Sequence, residues 1–128
     1  MADMLQDGVA WLDEMRAAHL SRTVLYARGG ASVELAATLG RTEFDVSTAE
    51  GLTERFESRD FLVAAAELVL DGQATRPQAG DRVTLGILGQ EGVSYVYEVM
   101  APGGRECWRW SDPFQRTIRV YTKLVEEG

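Results

Sequence analysis

The sequence is poor in the side chains that most enzymes and metal sites use. It holds one cysteine, Cys107, and one histidine, His19, in 128 residues. A single cysteine excludes an intramolecular disulfide, and a thiolate metal site would need its other ligands elsewhere. Cys107 has no activating neighbour and reads as an inert thiol, compatible with a reducing compartment. His19 has no second histidine at metal spacing and no serine or cysteine partner in a known motif, so it reads as structural or surface. Phosphate loops are missing too. Gly29-Gly30, Gly86 to Gly89 and Gly103-Gly104 match neither GxxxxGK[ST] nor a GxGxxG between strand and helix, and read as turns.

No apolar run approaches the roughly 18 residues of a membrane span. The first residues, Met1 to Asp7, lack the basic and apolar stretches of a signal peptide, so the chain is expected to be soluble and intracellular at synthesis. Basic residues are in short supply. Thirteen Lys and Arg face twenty Asp and Glu, for a formal net charge of −7 and a pI near 4.7. Such a chain is poorly suited to wrapping nucleic acid, since phosphate binding rests on Lys and Arg. The charge does not exclude a protein that lines a path along which DNA slides, since such a wall should not grip it.

What is present is a β pattern. With 45% hydrophobic and 26% charged residues, 128 residues form one ordinary globular domain, 1–128, able to bury a core without metal or disulfide. From Gly80 to Lys123, β-branched and aromatic segments alternate with glycine and proline turns, the pattern of an antiparallel meander. Its strands are placed at 82–88, 94–100, 105–110 and 116–123, with a turn at 102–104 and the last three residues frayed. The fold class expected is mainly β: a small antiparallel β-barrel or sandwich over 23–123. An N-terminal helix spans 3–20, and a short helical turn lies near 64–70.

The helix rests on Met4, Gly8, Trp11, Leu12, Met15 and Ala18, which recur three and four apart. After Thr23 the period becomes two. Val24 and Tyr26 mark a first strand, Gly29-Gly30 a turn, and Val33, Leu35, Ala37 and Leu39 one face of a second strand. Gly40-Arg41 breaks that strand, leaving Thr42 to Val46 as a separate short one. Ser47, Thr48, Ala49, Glu50, Gly51, Leu52 and Thr53 are polar and aperiodic, and read as an exposed loop. Residues 54–63 form a strand whose two faces are each polar at the start and apolar at the end. Such a strand could leave the core for solvent or for a partner. Residues 73–79 read as a connecting loop.

Several clusters invite a chemical reading. Glu43 and Asp45 share a strand face and could act as paired carboxylates, but Phe44 and Val46 beside them suggest a half-buried strand with a solvated outer face. Glu57, Arg59 and Asp60 read either as a surface ion-pair set or as an inter-subunit contact. Trp108-Arg109-Trp110 places two indoles on one face and a cation on the other. The pair could stack bases, or it could cover one end of the core. No cofactor site, metal site or catalytic constellation emerges.

The ordered set resembles a known family. Asp7 to Leu12, Val24-Leu25-Tyr26, Glu57 to Phe61, Pro77 to Val83, Tyr97-Glu98-Val99, Trp108 to Phe114 and Arg119 to Lys123 together are similar to small head–tail joining proteins of tailed bacteriophages and prophages. That group includes stoppers and is similar in plan to the lambda head–tail attachment protein. The resemblance runs from about residue 7 to 123. It implies a non-enzymatic virion protein of the neck, made in the host cytoplasm. Copies would form a ring between the portal or adaptor and the tail, through which DNA passes without specific binding, although the protein could be monomeric in isolation. Family stoppers narrow the channel with a loop, and 47–53 is the candidate here. Trp11, Met15, Glu57, Arg59 and Asp60 are candidate interface residues, and Trp108 and Trp110 core or interface anchors. A tail-completion protein, or a β-barrel module binding a ligand or nucleic acid through the tryptophans, are the alternatives.

Overall fold

The computed structural model describes residues 22–86 and 92–127. The helix expected at 3–20, with Trp11 and Met15, lies outside the described residues, as do positions 87 and 88 of the strand expected at 82–88. Nine strands follow among the described residues. They are β1 Arg22–Arg28, β2 Ala31–Ser47, β3 Thr53–Ala64, β4 Val69–Leu70, β5 Gln73–Ala74, β6 Arg82–Gly86, β7 Ser94–Val99, β8 Trp108–Trp110 and β9 Thr117–Glu127.

Six of them close on themselves. β1 pairs with β2 and β6, β2 with β3, β3 with β9, β9 with β7 and β7 with β6, all antiparallel. The cycle β1-β2-β3-β9-β7-β6 is a barrel, and closure removes the open sheet edges that otherwise invite aggregation. Alternate residues point inward, as the two-residue period demands. Val24 and Tyr26, Leu35, Ala37 and Leu39, Phe61 and Val63, Val83 and Leu85, Tyr97 and Val99, and Ile118 and Val120 form one buried cluster. Phe61 and Tyr97 meet edge to face at 5.5 Å between ring centroids. Burying each such side chain contributes about 2 kcal/mol, which is why the inward positions read so clearly as apolar.

The expected meander is redrawn. β8 does not lie between β7 and β9. β7 pairs with the Thr122–Glu127 half of β9, and β8 pairs with Ile118, Val120 and the residue between them on the same side. The chain between β7 and β8 crosses from one half of β9 to the other through a 3-10 turn at Pro102–Gly104, so β8 is only three residues long. The 126–128 end is not frayed through Glu127, because the β9 backbone pairs there with Tyr95 and Val96 of β7. The helical turn near 64–70 shrinks to a 3-10 turn, Ala65–Glu67, and the chain then pairs β4 with β5, which takes two residues from the 73–79 loop.

A larger correction concerns Gly40-Arg41. They do not break a strand, and β2 runs unbroken through them for 17 residues. Gly40 has another use. A Cβ there would lie 3.2 Å from Nη1 of Arg119 and 3.3 Å from Cδ1 of Leu62. The glycine lets other side chains close over the strand rather than turning it.

A projecting hairpin as the candidate functional site

β2 and β3 form a hairpin whose register holds without a bulge from Ala37 opposite Val63 to Ser47 opposite Thr53. Its neighbours are shorter. Among the described residues, which begin at Arg22, β1 accompanies β2 to Ala37, and β9 accompanies β3 from Arg59. Beyond about Gly40 and Arg59, the hairpin has no further strand paired to it among the described residues.

The buried face changes sides at that point. In the base, odd-numbered residues face the barrel interior. Above it, the even-numbered Gly40, Phe44, Ser58 and Asp60 are buried on the outer face instead. Phe44 stacks with Phe56 at 5.4 Å and meets Tyr121 edge to face at 5.0 Å. Arg105 lies 5.8 Å over the Phe44 ring, and the Pro102–Gly104 turn abuts Val46, where a Cβ on Gly103 would come within 3.2 Å. Gly103 also has φ 59°, so glycine is required there twice over. The outer surface of β9 and the turn after β7 thus form a seat for the hairpin.

A polar lock holds that seat. Asp60 is fully buried and accepts hydrogen bonds from Thr42 Oγ1, from Ser58 Oγ at 2.6 Å and from Arg119 Nη1 at 2.5 Å. A buried carboxylate must be paired and hydrogen-bonded to be tolerated, and these three donors supply both. Ser58 Oγ also accepts from the Thr122 N–H at 3.2 Å, next to the point where β9 leaves β3. Asp60 is thus enclosed by its own chain rather than displayed. Arg59 is also buried, on the opposite face, paired with the half-buried Glu57. The sequence cluster Glu57, Arg59, Asp60 splits into two environments and is not a surface set.

The odd-numbered face of the upper hairpin is charged. Arg41 pairs with Glu57 at 3.5 Å and Arg55 with Asp45 at 3.1 Å. Glu43 and Asp45 do share this face and are exposed, with Phe44 buried between them. At the tip, residues 48–52 make the turn, and Ser47 and Thr53 are its first paired residues. Thr48 ties it: the Leu52 N–H donates to Thr48 Oγ1 at 3.2 Å, and the Thr48 N–H donates to the Leu52 carbonyl at 2.7 Å. Gly51 supplies φ 81°. Leu52 stands out at the apex, 66% exposed.

The opposite pole is built around a second buried carboxylate. Asp81 accepts from Arg28 Nε and Nη2, both at 2.9 Å, from the Gln78 N–H at 3.0 Å and from the Tyr26 hydroxyl. Burial alone would push its carboxyl up. The hydrogen bonds from Arg28, Tyr26 and Gln78 outweigh burial and hold it below the usual carboxylate range. Tyr26 moves the other way, raised by burial and by its bond to Asp81. Arg28 continues to Thr75 Oγ1 at 2.9 Å and the Arg76 carbonyl at 2.7 Å, which pins the long β5–β6 connection to β1.

Trp108 and Trp110 share a face, as their spacing predicts, and pack edge to face at 5.1 Å over the partly buried rim of the core. Arg76 lies over the Trp110 ring at 5.2 Å, so one face of that indole is already taken. Arg109 points away and is exposed. The Cys107 thiol donates to the Pro77 carbonyl at 3.3 Å, and burial pushes its pKa up. Among the described residues no cluster of three or more His, Cys, Asp or Glu is placed to hold a metal ion.

Phe44, Thr42, Ser58, Arg119 and Tyr121 were not singled out by sequence reading. Their unit is assembled across a separation of 59 residues between Asp60 and Arg119, and no local spacing announces it. The even-face apolar pair Phe44 and Phe56 was the one available signal.

The fold and its prominent feature define a class: a small closed β-barrel with a long, charged hairpin. The chain's full span then gives the family. Residues 2–128 match the family model for phage head–tail joining proteins. The chain belongs to that family. No curated protein matches it.

Proposed function

We propose that this protein is a structural component of the phage neck that joins head to tail as a homo-oligomeric ring. Its hairpin tip reaches toward the axis and helps close the DNA channel after packaging. One observation carries the reading: in a head–tail joining chain, the hairpin is rigidly seated at its base yet ends in an exposed tip made by residues 48–52. A segment that served only the fold would not be held so firmly away from the core.

Ring contacts would come from Glu57, on the charged hairpin face, and from Trp11 and Met15, whose helical spacing makes an apolar stripe. The portal or adaptor would lie on one side and tail proteins on the other. The chain's net charge of −7 suits a wall that repels DNA and lets it pass. The role is architectural rather than catalytic. The reading of the tryptophans as a base-stacking platform is weaker, since the two pack against each other and the core, and Arg76 lies over Trp110.

The test is a phage carrying a hairpin shortened by Ala49, Glu50, Gly51 and Leu52. Heads should still package and receive the ring, but should leak DNA before tails attach. Full retention of DNA by tailless heads would reject channel closure. Complete tailed particles that lack the protein altogether, seen by electron microscopy, would reject the joining role.

A further inference from the structure

The upper hairpin carries two sheet edges that face opposite ways. Among the described residues, no strand lies beside Arg41 to Ser47 on the β2 edge or beside Thr53 to Ser58 on the β3 edge. Edge strands are templates for pairing, and proteins blunt them with proline, lysine or a bulge. Neither stretch contains proline or lysine, and the register has no bulge. What they carry instead is charge of both signs on one face: Arg41, Glu43 and Asp45 on β2, and Arg55 and Glu57 on β3.

We propose that each edge is occupied by the hairpin of a second copy of this chain. The β3 edge of one subunit would pair antiparallel with the β2 edge of the next, so that the hairpins form a continuous inter-subunit sheet. This rests on the ring reading above. In a ring all hairpins point the same way. β2 runs toward the tip and β3 runs back, so facing edges of adjacent hairpins are antiparallel without any rearrangement. The two edges differ, so the contact is heterologous and repeats around a closed ring.

Charge selects the register. Within one hairpin Glu43 sits opposite Glu57, a like-charge pair. Between copies, a shift of two residues places Glu57 opposite Arg41, Arg55 opposite Glu43 and Thr53 opposite Asp45. The shift must be even, because a one-residue slip would turn every side chain to the wrong face. Directly opposed unlike charges favour this register over the intramolecular one. The edges left unpaired among the described residues, the charge pattern and the symmetry thus agree on one occupant.

The test uses cysteine pairs in phage particles, with Cys107→Ser removing the native thiol. Two chains, Glu43→Cys and Arg55→Cys, are co-produced so that both enter one neck. Each chain carries one cysteine, so any disulfide joins two copies. Directly opposed strand residues lie within the Cα separation a disulfide needs. Mild oxidation should convert up to roughly half of a randomly mixed population to dimer, the share set by one ordered interface in four, and neither chain alone should do so. The double variant E43C/R55C should give a ladder of higher multimers. A second pair, Asp45→Cys with Thr53→Cys, uses two exposed positions and covers the case in which the first disturbs assembly. Particles with a ring visible by electron microscopy but no cross-link from either pair would overturn the edge pairing and leave the ring standing. Particles with no ring would overturn the ring reading, and the edge pairing with it.

Discussion

The lower and upper halves of the same two strands are built on opposite plans. Below Gly40, β2 and β3 bury their odd-numbered residues in an apolar barrel core. Above it they bury their even-numbered residues against the outside of β9, through an aromatic cluster locked by one buried carboxylate. Because β-strand side chains alternate, a strand changes its buried face without bulge or twist simply by exchanging the neighbour it leans on. The difference teaches that the hairpin is no loose extension of the barrel. It has its own small core, with its own polar closure, built on the outer surface of the barrel.

The largest expected effect tests the barrel half. Phe61→Ala should destabilise the protein by about 4 kcal/mol, since a fully buried aromatic leaves a cavity between Tyr97 and Val120. Urea unfolding should show one transition at a lower midpoint. Hydrogen exchange should rise everywhere, the hairpin included, because the seat on β9 depends on the barrel.

Asp60→Asn should remove about 3 kcal/mol by leaving the partly buried Arg119 without its counter-charge. Here the change should be local. Exchange should accelerate at residues 42–46 and 54–58 well before it does at Val24 to Tyr26. Equal acceleration in both regions would abolish the distinction drawn between the two halves.

The carboxylate at the other pole gives a pH test. Asp81 has a lowered pKa in the folded state, so the unfolded chain binds the extra proton first as pH falls. Its contribution is complete above the ordinary carboxylate value of about 4 and is lost as pH drops through the lower folded value. Asp81→Asn should cost about 2 kcal/mol at neutral pH through the loss of a charge-assisted bond to Arg28. The gap to the parent protein should narrow in acid. A gap independent of pH would mean that the charge on Asp81 contributes nothing. The raised Tyr26 predicts the mirror image. Stability is lost as pH climbs past about 10, where the unfolded tyrosine ionises first, and Tyr26→Phe should flatten that alkaline limb.

The sequence made the barrel half legible and the hairpin half not. Val24, Tyr26, Leu35, Ala37 and Leu39 alternate strictly because each faces a single apolar interior, and the two-residue period reads directly from them. Across Gly40 the buried face switches, so the period appears to break, and glycine followed by arginine mimics a turn. The mixed faces of residues 54–63 were visible, and they mark the same switch on the partner strand. What could not be read was its cause. The seat is supplied by Tyr121, Arg119 and the Pro102–Gly104 turn, far along the chain, and such contacts leave no spacing signature. For the same reason Asp60 looked like one member of a surface charge cluster. Strand alternation already puts Asp60 and Arg59 on opposite faces; what the pairing of β3 with β9 adds is that Asp60 meets Arg119 while Arg59 meets Glu57.

The smallest effect on stability is expected at the tip, and it divides the two halves most cleanly. Leu52 is held at the apex by hydrogen bonds of its backbone to Thr48, and its side chain is largely exposed. Leu52→Ser should therefore change unfolding free energy by less than about 0.5 kcal/mol, as surface substitutions do. Exchange rates along β2 and β3 should not move either. If the tip works at the channel axis, the same substitution should still increase DNA loss from packaged heads, since it removes the apolar apex without disturbing the arm beneath it. Unchanged stability with unchanged DNA retention would confine the hairpin's role to contacts along its length. A large loss of stability would mean that the apex belongs to the fold, and that the arm is not the independent unit its outer core makes it.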